Sequence, residues 1–324
     1  MARLELVQEV EAHEDRVWEA QWSPCGRYLA SCSGDRSVAV WGRGGDGEGL
    51  RLLTRLEDAH RRTVRRLAWA PGGRCLAAAS FDATVSVWKN VAGVFNLVGT
   101  LEGHDNEVKG VAWDCSGNLL ATCSRDKTVW VWEMQEEDFE CVSVMHGHSA
   151  DVKAVLWHPN KELLFSASYD DTVRSWVDDG DDDWTCSQTL AGHASTVWEV
   201  AFRPAVDRPY LVSCSADLDV KVWKDEGKGD DSDFTLATTI AGQHKRCIYS
   251  VDVNSADQVV TGAGDNTIRV FQLTEDAASS ELLATNEKAH AADVNCVRWC
   301  TSDPTLVASA SDDGTIKLWR LVPE

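Results

Sequence analysis

Residues 123–132 read CSRDKTVWVW, and the same ten-residue frame returns six more times along the chain. It recurs as CSGDRSVAVW (32–41), ASFDATVSVW (79–88), ASYDDTVRSW (167–176), CSADLDVKVW (214–223), GAGDNTIRVF (262–271) and ASDDGTIKLW (310–319). In every copy an Asp stands six residues before a closing aromatic: Asp35 and Trp41, Asp82 and Trp88, Asp126 and Trp132, Asp170 and Trp176, Asp217 and Trp223, Asp265 and Phe271, Asp313 and Trp319. The Asp lies in a turn, and apolar residues alternate after it with the period of a strand. Coincidence does not produce seven such copies.

Upstream of each frame lies a second marker. His13, His60, His104, His148, His193, His244 and His290 are spaced by 47, 44, 44, 45, 51 and 46 residues, and each is followed four positions later by Val or Ile. A fixed period of this size marks a repeat architecture, because each unit buries its apolar face only against its neighbours. Between the markers run short alternating segments such as VKGVAW, separated by turn clusters such as SPCGR, PGGR and CSGN, and nothing long has helical period. The expectation is an all-β, seven-bladed propeller forming a single domain over residues 1–324. After Trp319 only RLVPE remains, too short for a further strand, whereas residues 4–10 (LELVQEV) precede the first His as an unassigned strand. The N-terminal strand is therefore expected to complete the last blade and leave no open edge.

These residues resemble the WD40 family over nearly the whole chain. The naming Trp-Asp dipeptide is absent, since Gly42, Lys89, Glu133, Val177, Lys224, Gln272 and Arg320 follow the closing aromatics. The resemblance implies a buried relay in each blade: the His bonds the turn Asp, and a strand Ser or Thr four residues before that Asp links the His to the indole N–H. Those positions hold Ser31, Thr122, Ser166, Ser213, Thr261 and Ser309, with Ala78 in the second repeat. Blades two and six are thus expected to carry incomplete relays, the latter because Phe271 has no donor. An orphaned buried group costs about 1–3 kcal/mol.

Charge and cysteine usage narrow the functional classes. The 324 residues carry 31 Lys and Arg against 52 Asp and Glu, a net charge of −21 that repels phosphate backbones and anionic lipid; neither nucleic acid nor membrane is an expected partner. No apolar run is long enough to span a bilayer, and the start MARLELVQEVEAHED lacks signal-peptide character, so the expected location is the cytosol or nucleus. Eleven cysteines scatter without a C-x-x-C pair, as expected in a reducing compartment, and most of them read as small apolar fillers of strands. Cys296 and Cys300 with His290 come nearest to a metal set, but residues four apart on a strand lie about 13 Å apart, so no metal or cofactor is expected. No nucleotide, zinc-protease, serine-hydrolase or calcium motif is present. A His/Asp/Ser set repeated seven times is architecture, and no convergent titratable group stands outside it, so no catalytic residue is assigned. The acidic runs 177–184 and 224–233 read as solvated links between third and fourth strands, and GRGGDGEG (42–49) as an outer hairpin.

By analogy with the family, the residues flanking the Val or Ile after each His, and the residue before each turn Asp, point to one face. They include Arg16, Trp18, Arg65, Phe81, Lys109, Arg125, Lys153, Tyr169, Trp198 and Tyr249, a cationic and aromatic set on an acidic protein, while blades six and seven supply Cys247, Gly264, Asp293, Asn295 and Asp312. Such a set suits a peptide carboxylate together with an apolar side chain. The wording of LEGHDNEVKGVAWDCSGNLLATCSRDKTVWVWE, HGHSADVKAVLWHPNKELLFSASYDDTVRSW and DAHRRTVRRLAWAPGGRCLAAASFDATVSVW is similar to the WD40 subunit of the cytosolic iron-sulfur protein assembly machinery. That resemblance implies an adaptor. With a small acidic adaptor and a HEAT-repeat scaffold it would form a targeting complex that hands preassembled clusters to iron-sulfur apoprotein clients, Arg125 matching the family's exposed top-face arginine. A generic nuclear scaffold, such as a histone-tail reader or ubiquitin-ligase receptor, shares the fold, although a reader of basic tails calls for an acidic face.

Overall fold

The computed structural model describes residues 2–44, 49–135, 138–180, 183–204, 209–227 and 231–323. Seven four-stranded antiparallel sheets follow one another around a central channel. The inner strands are Val17–Trp22, Val64–Trp69, Val108–Trp113, Val152–Trp157, Val197–Phe202, Ile248–Val253 and Val294–Cys300. The opening Val or Ile of each is fully or almost fully buried. These β-branched anchors, with the closing aromatics, fill the layers between blades, where successive sheets pack face to face.

The ring closes as expected. Ala2–Glu11 pairs antiparallel with Thr315–Pro323, from Ala2 opposite Pro323 to Glu11 opposite Thr315, and so forms the outer strand of blade seven. In every blade the residue after the turn Asp has a positive φ, between 64° at Asn266 and 81° at Gly314, which folds the second strand tightly onto the third. The links 178–184 and 225–234 do join third to fourth strands, and the hairpin after Arg43 holds a Gly44 N–H to Gly49 carbonyl bond of 2.8 Å. The centres of these three segments lie outside the described residues.

Five relays have the expected form. His104 Nδ1 meets Asp126 at 2.7 Å, its Nε2 meets Thr122 Oγ1 at 2.9 Å, and Trp132 Nε1 donates to the same hydroxyl at 3.0 Å. His13, His148, His193 and His290 repeat this with Asp35, Asp170, Asp217 and Asp313, and Ser31, Ser166, Ser213 and Ser309 take the indole donors of Trp41, Trp176, Trp223 and Trp319. Burial works to raise all seven Asp carboxyls, but the hydrogen bonds from the His and from neighbouring hydroxyl or backbone groups outweigh it and hold each well below the usual range.

Blade two corrects the expectation. Ala78 lies directly opposite Ser86 in the ladder, and Ser86 Oγ lies 2.8 Å from His60 Nε2 and accepts from Trp88 Nε1 at 3.0 Å. The hydroxyl has crossed to the partner strand of the same cross-strand pair, and the relay from Asp82 through His60 to Trp88 is complete. In blade six Phe271 ends the chain of donors, yet nothing is orphaned: Thr261 Oγ1 lies 2.8 Å from His244 Nε2 and donates to the Arg269 carbonyl at 3.4 Å, while Asp265 holds Nδ1. The cysteines also depart in part from the strand-filler reading. All eleven are free; Cys32, Cys123, Cys214, Cys296 and Cys300 are buried, but Cys25, Cys115 and Cys186 lie on the surface.

Candidate functional site

The ladder between the first two strands shifts register at the same point in every blade. Val17 pairs with Ser33 and Glu19 with Cys32, so Trp18 is an extra residue, and the same step isolates Arg65, Lys109, Lys153, Trp198, Tyr249 and Asn295. A bulge re-aims its side chain out of the sheet. Here seven bulges aim seven side chains at one mouth of the channel, where all of them, with Arg16, Phe81, Asp293 and Asp312, line a cavity of about 300 Å³. A second cavity of about 340 Å³ adjoins it, lined by Phe81, Glu107, Lys109, Arg125, Asp151, Lys153 and Tyr169. The ten residues expected on one face are therefore brought together, eight around the channel mouth and Arg125 and Tyr169 beside it. Cys247 and Gly264 line neither cavity.

The charge of this face differs from the expectation. Lys109 and Lys153 share Asp151, at 2.5 and 3.4 Å; Arg125 and Arg62 share Glu107, at 3.3 and 3.0 Å; and Arg16 reaches Asp312 at 3.4 Å. The face is thus a mosaic of ion pairs, with its cationic surplus confined to blades two to four, because the residues before Val108 and Val152 are the acids Glu107 and Asp151. Arg125 stays more than half exposed, with a side chain 56% accessible. Lys153 is different: burial and the neighbouring Lys109 pull its ammonium down to about 8, while Asp151 resists. Its Nζ lies 5.1 Å from the ring centres of both Tyr169 and Trp198, and Trp198 meets Tyr249 edge-on at 5.2 Å.

The inner strands also carry a cluster that composition and motif reading missed, one position after the bulge in blades one, two and five and three positions after it in blade seven. Glu19, Arg66, Glu199 and Arg298, from blades one, two, five and seven, form a closed set of ion pairs: Arg66 contacts both carboxylates, and Arg298 meets Glu19 at 3.0 Å and Glu199 at 2.5 Å. Burial favours the neutral Glu199 carboxyl, but Arg298 and Arg66 hold it below its ordinary value. Glu19 and Glu199 also accept the backbone N–H of Leu67 and Val251 in the next blades, tying neighbouring inner strands together. Beyond this cluster a cavity of about 350 Å³ opens, lined by Trp22, Trp69, Trp113, Trp157 and Trp299, with Asp252 pushed up to about 6 by burial. The sequence signal was a charge at the third position of VWEAQW, VRRLAW and VWEVAF, where the neighbouring strands carry Gly, Ala, Ser or Cys.

Among the described residues, the seven marker His and the seven turn Asp side chains are bonded to one another within the relays. What the channel mouth offers is a contact surface with aromatic walls and paired charges at its rim. Comparison with known proteins accords with this. The model of the WD domain, G-beta repeat, matches residues 4–42, 51–89, 95–133, 139–176, 184–224, 234–272 and 281–320. Over 347 aligned positions the chain is 48% identical to the probable cytosolic iron-sulfur protein assembly protein CIAO1 homolog of Chlamydomonas reinhardtii, covering 98% of each. It is 44% identical to Protein CIA1 of Arabidopsis thaliana over 98% of this chain and 97% of that one. A shorter match, 41% identical over 44% of this chain and 46% of the other, is to the probable cytosolic iron-sulfur protein assembly protein Ciao1 of Aedes aegypti. Seven matched repeats and two full-length relatives show that the chain belongs to the WD40-repeat proteins and, among them, to the CIAO1/CIA1 family.

Proposed function

We propose that the chain is a non-catalytic adaptor of cytosolic iron-sulfur protein assembly. The names of its full-length relatives support the pathway, and the ring of seven bulge residues around the channel mouth supports the mode of action. The propeller acts as a rigid platform: relays lock the hairpins of each blade, the four-membered ionic cluster ties the inner strands, and the face presents Arg125, Lys109, Lys153, Arg65 and Arg16 among Trp18, Phe81, Tyr169, Trp198 and Tyr249. On this reading the face captures an acidic or C-terminal segment of a client apoprotein or of a partner subunit. The partner subunits are a small acidic adaptor and a HEAT-repeat scaffold, and the iron-sulfur cluster passes to the client as cargo. Work in the cytosol, and on nuclear clients in the nucleus, follows from the same reading.

Arg125 suits first contact, because its guanidinium is exposed and held by Glu107 in a geometry that leaves donors free for an incoming carboxylate. Charge on such a rim steers association, and the aromatic walls behind it supply the contact area. The test is a quantitative partner list recovered under reducing conditions with tagged wild-type chain and with Arg125→Glu. Wild type should recover iron-sulfur assembly factors and apoenzymes, and the folded variant should lose the apoenzymes. Recovery of chromatin or ubiquitin-ligase subunits instead would overturn the proposal, and unchanged client recovery by Arg125→Glu would overturn the site.

A further inference from the structure

Of the cations around the channel mouth, one stands apart. Arg16, Lys109 and Lys153 each have a carboxylate within 4 Å, and Arg246, behind Asp293, meets it at 3.0 Å. Arg65 has none. Among the described residues its guanidinium makes no hydrogen bond and no ion pair, and it lies over the face of Trp18, 4.9 Å from the ring centre. Yet Arg65 is only 9% exposed, and what remains accessible lines the central cavity. Its neighbour Arg66, equally buried, is bonded to two carboxylates in the ionic cluster. The Arg65 nitrogens are left to the open space of the cavity, so five N–H donors with no neutral form are available to whatever enters there. A second polar group of the same cavity is also unsatisfied: the buried indole Nε1 of Trp198 has no partner.

We infer that the channel-mouth cavity is a carboxylate-binding site in which Arg65 is the anchoring residue and Trp18 its supporting face. The inference deepens the adaptor reading given above and rests on it. The occupant is a single carboxylate on an apolar stem, carried by a polypeptide. One cation is unpaired, so one negative charge is called for; the other cations around the mouth already have acids. About 300 Å³ admits one side chain or chain end and no folded element. Stacking on Trp18 holds the guanidinium plane, which leaves its edge for a bidentate carboxylate, and Trp198 and Tyr249 flank the stem.

The test uses the full chain and three fluorescein-labelled octapeptides of one Gly/Ser/Leu composition. The first carries one central Glu and an amidated end, the second a free C-terminal carboxylate and no acid, and the third neither. Anisotropy should show at least one carboxylate peptide binding about tenfold or more tightly than the neutral amide, and which of the first two does so identifies the source of the charge. Arg65→Met should remove that preference, Arg65→Lys should retain part of it, and Arg65→Met should melt no lower than wild type, because it deletes an unpaired buried cation. A structural role for Arg65 predicts the opposite thermal result. In the wild-type chain labelled with ¹⁵N-arginine, the Arg65 Nε–H resonance should shift on adding the preferred peptide, a readout independent of any variant. Equal binding of all three peptides, wild-type discrimination by Arg65→Met, or a melting temperature several degrees lower for that variant overturns the inference. If discrimination fails while assembly factors are still recovered from lysate, the carboxylate site alone is wrong; if those factors are not recovered, the adaptor reading is wrong.

Discussion

Replacing Ser86 by Ala isolates the blade-two relay. Ser86 is fully buried, and its hydroxyl is the link between His60 Nε2, at 2.8 Å, and Trp88 Nε1, at 3.0 Å. Removing it leaves a ring nitrogen and an indole N–H without partners in a dry blade core. At about 1–3 kcal/mol for each orphaned group, the cost is about 2–6 kcal/mol. An unfolding entropy of about 2.1 cal/mol/K per residue, taken over the chain, converts that to a fall of about 3–9 °C in melting temperature. Ala78 faces Ser86 across the ladder, so Ala78→Ser added to Ser86→Ala puts the hydroxyl where the six other blades keep theirs, and should recover most of the loss. Differential scanning fluorimetry of wild type, both single variants and the double variant closes the cycle. A drop below 1 °C for Ser86→Ala, or a double variant no better than the single, would refute the relay as drawn.

Further expectations rest on the same geometry. Glu199→Gln leaves Arg66 and Arg298 under-compensated in a buried site and should cost about 3–5 kcal/mol in urea unfolding. Because the seven relay carboxyls sit below their unfolded value, their stabilisation is complete above about pH 4–5 and disappears as pH falls through the folded values, so Asp126→Asn should flatten the acid limb of a melting-temperature profile. Lys153 works in the other direction. With its ammonium at about 8, affinity for an acidic peptide should fall as pH rises from 7 to 9, and Lys153→Met should abolish that dependence in an anisotropy titration. Deleting residues 2–11 uncovers the Thr315–Pro323 edge and should convert the chain to aggregating species by size-exclusion chromatography.

The fold was legible because each blade writes its core contacts into local sequence: His, turn Asp and closing aromatic lie within about 28 residues of one another, and the surplus strand at 4–10 announced the closure. The site was legible by residue but not by charge. Lys109 and Lys153 stood out, whereas Asp151, which neutralises both, lies one residue before Val152 and reads as another loop acid. Ser86 was missed because cross-strand opposition at Ala78 is a property of the ladder, invisible at an eight-residue separation until the turn is built. The ionic cluster was missed for a larger reason of the same kind: its members come from four blades, with Glu19 and Arg298 279 residues apart. The bulge that turns Arg65 into the channel is seen only in the ladder, where Val64 pairs with Ser80 and Arg66 with Ala79.

The most direct measurement is cluster occupancy of a cytosolic iron-sulfur enzyme, read from its iron content and activity, in cells depleted of their own CIAO1-family protein and complemented with this chain. Wild type should restore occupancy. Arg125→Glu, expressed to the same level and equally folded, should not. Failure of the folded wild type to restore occupancy, or equal restoration by the variant, would contradict an adaptor that selects its clients through this face.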